Sequence, residues 1–247
     1  MPATADLPRF TTLLFGLSGD LVDFGARTLP VALQRTCPDC PPERLLEAAA
    51  LPPQEALDHV LGRSADGPER ERFQGALEAA AQAHAEATPG ALQALQALQG
   101  HGVPCAWLDE LPTATAQHLS TGLVDRLATG LEVAGRPLPA PDSCWQALMH
   151  LDSPHLDGCV LVSGQPRLLQ AGLNAGLWTI GLAASGPLCG HAPGDWDALG
   201  NLDRDRLRAQ ATLGLYRLGV HSVIDHLGEL DSCLQDIAGR RLKGEKP

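Results

Sequence analysis

Leu13-Leu14-Phe15-Gly16-Leu17-Ser18-Gly19-Asp20-Leu21-Val22-Asp23-Phe24-Gly25 is the stretch on which the fold turns. With Thr11 and Thr12 before it, its opening is a short apolar run with the composition of a buried strand. Gly16-Leu17-Ser18-Gly19-Asp20 then breaks the run with glycines and small polar residues, a loop signal. In open α/β sheets ligands bind at the carboxyl ends of the strands, so this loop is the first place to look for function.

The residues that follow, from about Arg27 to Ala97, read as helices only. Leu29, Val31 and Leu33 open one, Leu45, Leu46, Ala48 and Ala49 a second, Ala56, Leu57, Val60 and Leu61 a third, and Phe73, Ala76, Leu77, Ala80 and Ala81 a fourth. Pro41-Pro42, Pro52-Pro53 and Gly67-Pro68 punctuate them. After Thr88-Pro89-Gly90 the pattern alternates. Helices are expected over 91–98, 113–119, 143–150 and 167–175, and strands over 103–108, 158–162 and 178–182. Continuous apolar strands alternating with helices mean a parallel sheet covered on both faces. The reading is an α/β, Rossmann-like core over 1–26 and 97–247, with a helical cap inserted at 27–96 above the strand ends.

Composition removes several classes of function. The 247 residues carry 18 Lys plus Arg against 29 Asp plus Glu, a net charge of -11. A chain that acidic has no general attraction for phosphate backbones or anionic lipid, so neither nucleic acid nor membrane is an expected partner. No apolar run is long enough to cross a bilayer, and Met1 to Asp6 lack the basic and apolar regions of a secretory signal. Seven cysteines, an odd number scattered along the chain, suit a reducing cytoplasm. Lysine occurs only at Lys243 and Lys246, so no mechanism can use a lysine inside the fold.

The opening stretch resembles the first motif of the haloacid dehalogenase superfamily, and its Val22-Asp23-Phe24-Gly25 ending is similar to the phosphonoacetaldehyde hydrolase (phosphonatase) branch. Gly135-Arg136-Pro137-Leu138-Pro139-Ala140-Pro141 resembles that branch's arginine loop. Gly172 to Gly181 resembles the helix and strand after the superfamily's last motif, and Leu218 to Asp225 the branch's C-terminal signature. The resemblance implies the core-and-cap fold, an aspartate nucleophile, a Mg²⁺ ion, a phosphoryl-binding hydroxyl, an imine-forming cap lysine and a dimer made through the cap.

At each catalytic position this chain departs from what the resemblance implies. Gly16 stands at the nucleophile's place and has no side chain to attack phosphorus. Asp109, followed by Glu110, replaces the hydroxyl that holds a phosphoryl oxygen, and like charges there repel a dianion. Gly164 and Leu168 stand where carboxylates would complete the Mg²⁺ site, so Mg²⁺ is expected to be lost and no cofactor is expected. The cap segment 51–59 has no lysine. Gly16, Ser18, Asp20, Asp109, Gly164 and Leu168 are thus vestigial positions, and Arg136 is the retained candidate for binding a small anionic ligand.

Smaller signals compete. Cys37-Pro38-Asp39-Cys40 has C-x-x-C spacing, but neither a second ligand pair nor a thioredoxin-like unit accompanies it; the plainer reading is a cap-loop turn. Asp20 and Asp23 are candidates for a cation, or for capping the next helix and bonding loop amides. His59, His118, His150, His155, His221 and His226 have no metal-ligand spacing. Gly16-Leu17-Ser18-Gly19 lacks the G-x-S-x-G spacing of a nucleophile elbow, which argues against a serine hydrolase built on Ser18. The sequence favours a phosphonatase-related pseudoenzyme that binds a ligand or regulates. The alternatives are a phosphonate or phosphate-ester hydrolase with rearranged chemistry, and an interaction module that dimerises through the cap. Arg136 is expected within salt-bridge reach of Asp109 or Glu110, closing the old phosphate site.

Overall fold

The computed structural model describes residues 9–124, 127, 129–132 and 135–247; the reading of Met1 to Asp6 lies outside them. Among the described residues six strands form one sheet: β1 (Thr12–Gly16), β2 (Cys105–Asp109), β3 (Thr129–Glu132), β4 (Cys159–Ser163), β5 (Trp178–Leu182) and β6 (Ser222–Ile224). Their order is β3-β2-β1-β4-β5-β6, and every neighbouring pair is parallel. β1 lies between β2 and β4, and its side chains are buried against core clusters on both faces of the sheet, which is why it reads as an unbroken apolar run. Leu13 and Phe15 join one core cluster and Leu14 another, the period-2 alternation of a strand. The chain leaves β1 toward β2 on one side and returns through β4 on the other. The crevice at that reversal is where such a sheet binds ligands.

Four helices follow β1: α1 (Thr28–Thr36), α2 (Pro42–Ala48), α3 (Pro53–Leu61) and α4 (Gly67–Ala83). Prolines open α2, α3 and α4, as the punctuation implied. α4 starts with a full capping box between Asp66 and Glu69, and Arg63 clamps both Glu69 oxygens at 2.6 and 2.8 Å. The outgoing and returning chains are tied together where they cross. Asp23 N–H donates to the Glu86 carbonyl at 3.0 Å, Thr88 N–H to the Leu21 carbonyl at 3.0 Å, and Val22 bridges Ala87. Helix α5 (Ala91–Gly100) packs against Leu227–Glu229 on the core side, so the return crossing lies near Thr88, earlier than the expected cap end at 96.

The rest of the core carries α6 (Thr113–Ser120), α7 (Asp142–His150), α8 (Pro166–Asn174), α9 (Pro193–Ala198), α10 (Asn201–Leu218) and α11 (Leu230–Leu242). Strands β3 and β6 escape the sequence reading because each is short and lies toward a sheet edge, where apolar patterning is weak. No described helix is long and apolar enough to cross a membrane.

Candidate functional site

The loop after β1 turns so tightly that Asp20 folds back over the strand's end. Its Oδ2 accepts a hydrogen bond from Ser163 Oγ at 2.6 Å and its Oδ1 one from the Gly164 amide at 2.6 Å, both at the end of β4. Thr88 Oγ1 donates to the Asp20 carbonyl, fixing the backbone from the other side. The side chain is fully buried. Burial pushes its carboxyl up to about 7, against the two hydrogen bonds and with the help of the Asp109 charge. A Cβ at position 16 would overlap Asp20 Oδ2. Asp20 therefore fills the room that a nucleophile's side chain would need.

Asp109, at the end of β2, is held by backbone. Its Oδ2 accepts from the Ser18 amide at 3.0 Å and its Oδ1 from the Leu111 amide at 2.9 Å. Burial raises its carboxyl to about 6, the amides opposing and the Asp23 charge adding. Glu110 pairs with Arg167 of α8 at 3.2 Å, and Arg167 also donates to the Leu138 carbonyl at 2.7 Å. This corrects the expectation for Arg136. That residue pairs with Asp142 at 3.0 Å, its side chain is 70% exposed, and it reaches neither Asp109 nor Glu110. Arg136 stands on a loop six residues before Asp142, which N-terminal placement in α7 aims at it. Arg167, overlooked in the sequence, does the work assigned to Arg136. Its signal is an arginine in the first turn of the helix that follows β4.

Asp23 gathers the donors of the cap's first helix. It accepts from Ser18 Oγ at 2.8 Å and from the Arg27 and Thr28 amides, each at 3.0 Å. His84 Nδ1 lies 3.7 Å from Asp23 Oδ1, the oxygen that takes the Arg27 amide, and has no hydrogen-bond partner. Burial holds His84 below the usual histidine range, against the pull of Asp23. Ser18 thus donates straight to a carboxylate already occupied by two amides. That is a helix cap, with no histidine between hydroxyl and acid to activate a nucleophile.

A magnesium ion does not fit this set of donors. Positions 16, 164 and 168 offer two glycines and a leucine, and Leu168 is buried in the apolar core. A Cβ on Gly164 would lie 2.6 Å from the Gly186 Cα and 2.9 Å from the Leu182 carbonyl, so the backbone after β5 fills the space of a ligand there. The described residues contain no group of three His, Cys, Asp or Glu side chains placed to hold a metal. Cys37 and Cys40 are free thiols in the turn after α1, and burial raises Cys37, the opposite of an activated thiol.

A cavity of about 440 Å³ lies between the cap and the strand ends. Leu29, Leu45 and Leu51 of the cap face Leu108, Leu138 and Leu168 of the core across it. Ser18, Gln34, Asp109, Glu110 and Gln165 supply its polar wall. Neither Asp20 nor Arg136 is among its lining residues.

No protein-family model matches the chain. A phosphonoacetaldehyde hydrolase of Salmonella enteritidis PT4 is 32% identical over 179 residues, covering 64% of this chain and 61% of its own. That of Salmonella typhi is 33% identical over 152 residues, covering 59% and 54%. The chain thus spans about three fifths of the length of the curated relatives it matches. Among solved structures, a phosphonoacetaldehyde hydrolase-like protein from Oleispira antarctica superposes with a TM-score of 0.84 over 98% of this chain and 97% of its own, at 20% identity, a likeness of fold. With the β1 loop, the cap helices and the six parallel strands in the same chain, these likenesses relate it to the phosphonatase-like branch of the haloacid dehalogenase superfamily, by sequence over about three fifths of the curated relatives' length and by fold over nearly the whole chain.

Proposed function

We propose that this chain has given up magnesium-dependent phosphoryl and phosphonyl hydrolysis and uses its cap–core cavity to bind a small molecule, in a ligand-sensing or regulatory role. The observation that carries this reading is the internal pairing of Asp20. Its carboxylate occupies the room at Gly16 and is satisfied by Ser163 and Gly164. Asp23 and Asp109 are likewise engaged by donors around them, Ser18 of the β1 loop bonding both. In this reading the old reaction centre has become a structural plug under the cavity, and the one hydroxyl residue among the described residues of the cavity wall, Ser18, is bonded to Asp23 with no base to activate it. The test is incubation of the purified protein with phosphonoacetaldehyde and with a simple phosphomonoester in millimolar Mg²⁺, with a phosphonatase relative as positive control. No product above the blank is expected. Turnover that a chelator abolishes would overturn the reading.

We also place a homodimer contact on the cap. Leu46, on α2, is 77% exposed, and burying such a side chain is worth about 1.5–3 kcal/mol. Light scattering coupled to chromatography should give twice the chain mass at micromolar concentration, and Leu46→Glu should shift it toward the monomer.

A further inference from the structure

We propose that the cap–core cavity takes an amphiphilic ammonium compound, a cationic head on a short aliphatic body, in place of an anion. The inference rests on the reading that the site no longer transfers phosphoryl groups, and it follows from the charge of the walls. Asp109 and Glu110 both line the cavity, whereas none of its lining residues among those described is Lys, Arg or His. Arg167 answers Glu110 from outside the lining set, which leaves Asp109 as the carboxylate without a cationic partner. Asp109 accepts from the Ser18 amide on Oδ2 and from the Leu111 amide on Oδ1, and the Glu110 amide bonds the carboxylate as well; with about four acceptor sites on its two oxygens it keeps capacity for a further donor. Asp20 and Asp23, close enough to repel the Asp109 charge or be repelled by it, add to the negative field behind it, while Arg27, just before α1, is spent on Asp23 and Glu86.

The remaining walls set the body of the ligand. Leu29, Leu45, Leu51, Leu138 and Leu168 present aliphatic surface from cap and core together. At about 30 Å³ per water-sized group, 440 Å³ is room for roughly fifteen heavy atoms. An anion entering here would meet the Asp109 carboxylate, with Glu110 already paired to Arg167 and no cation among the described lining residues. An ammonium meets an acceptor it can both pair with and hydrogen-bond. Burial has already raised Asp109 toward neutrality, and a bound cation would reverse that, so binding of the ammonium should release the carboxyl's proton at mildly acid pH.

Calorimetric titration of the full chain at about pH 8, where an alkylamine is protonated, with hexylammonium, 1-hexanol, hexanoate and hexylphosphonate tests this. The four share one body and differ in head charge. The ammonium should bind roughly tenfold or more tighter than the alcohol, and the two anions more weakly than the alcohol. Asp109→Asn should bring the ammonium down to the level of the alcohol. Because that change also touches backbone hydrogen bonds, Gln165→Lys serves as a second variant that leaves them intact. It places a cation in the same wall and should weaken the ammonium roughly tenfold while strengthening hexanoate. An anion binding as well as the ammonium, or no binding by any of the four, would overturn the inference while leaving the loss of hydrolysis standing. Turnover of phosphonoacetaldehyde would instead strike the reading on which it rests.

Discussion

A side chain at position 16 and the carboxylate of Asp20 compete for one volume: a Cβ built on Gly16 overlaps Asp20 Oδ2 and lies 2.8 Å from Ser163 Oγ. The glycine at the end of β1 and the aspartate four residues later are therefore one structural unit. The carboxylate reaches the strand end from the loop.

The coupling is measurable. Gly16→Ala should destabilise the protein by about 1–3 kcal/mol, the cost of over-packing a filled site. In an Asp20→Thr background the same change should cost less, giving a coupling of about 1 kcal/mol or more in a double-mutant cycle of urea unfolding. Gly16→Asp alone should be worse than Gly16→Ala and should yield no hydrolysis. Strict additivity would mean that Asp20 does not hold this space.

Asp20 also sets a pH dependence. Its folded carboxyl stands near 7 against an ordinary value of 3.8, so between those values the native state holds a proton that the unfolded chain has lost. Stability must then fall as pH rises from about 4 to 7, by up to a few kcal/mol. Asp109, raised to about 6, acts in the same direction. His84 and His221, lowered by burial, act oppositely, because the unfolded chain binds their protons more readily. Asp20→Asn isolates the first effect. The variant should gain on the parent as pH rises, with the difference in melting temperature widening from pH 5 to pH 8. A constant difference would show that the carboxyl is ionised throughout.

Magnesium gives a third check. A ligand that binds only the folded state raises its stability by mass action. With glycines at 16 and 164 and a leucine at 168, we expect millimolar Mg²⁺ to leave the melting temperature where an equal ionic strength of Na⁺ leaves it. A saturable rise specific to Mg²⁺ would require a donor set assembled from Asp20, Asp23 or Asp109 after rearrangement.

Much of the architecture was legible before any coordinates. The apolar runs at 12–16, 105–109, 159–163 and 178–182 are central strands buried on both faces, and such strands announce themselves by composition. The proline pairs marked the cap helices for a local reason, the fixed φ at a helix start. What lay beyond the sequence was the pairing of charges. Arg136 and Arg167 are equally plausible partners for an acidic pair when only order along the chain is known. Which one arrives depends on the turn before α7 and on the first turn of α8, and those are tertiary facts. The role of Asp20 was hidden in the same way. Its fold-back needs the Thr88 hydroxyl from the returning chain and the Ser163 hydroxyl from β4, 68 and 143 residues away.

The two arginines predict different consequences. Arg136→Ala should leave the unfolding midpoint unchanged, since its ion pair with Asp142 is solvent-exposed. Arg167→Ala strips a partly buried Glu110 of its partner and frees the Leu138 carbonyl, and should cost about 1–3 kcal/mol. Equal effects would return Arg136 to the site.

The last prediction concerns the joint between cap and core. Asp23 is fully buried and adopts a left-handed backbone at φ 58. It holds the Ser18 hydroxyl from the core loop and the first amides of α1 from the cap, so one carboxylate joins the two parts. Asp23→Ala leaves those three donors without an acceptor and puts alanine in a conformation it disfavours by about 1–2 kcal/mol. The total loss should be about 3–5 kcal/mol, a large share of a domain's stability. Asp23→Asn tolerates the left-handed backbone and keeps one oxygen, so it should cost less. The location of the damage separates a joint from an ordinary buried acid. Hydrogen exchange should accelerate at the amides of 27, 28 and 31–33 in α1 well before those of β1, because the core keeps its sheet when the cap loosens. Uniform acceleration across both, or none at α1, would mean that Asp23 serves the fold as a whole and not the attachment of the cap.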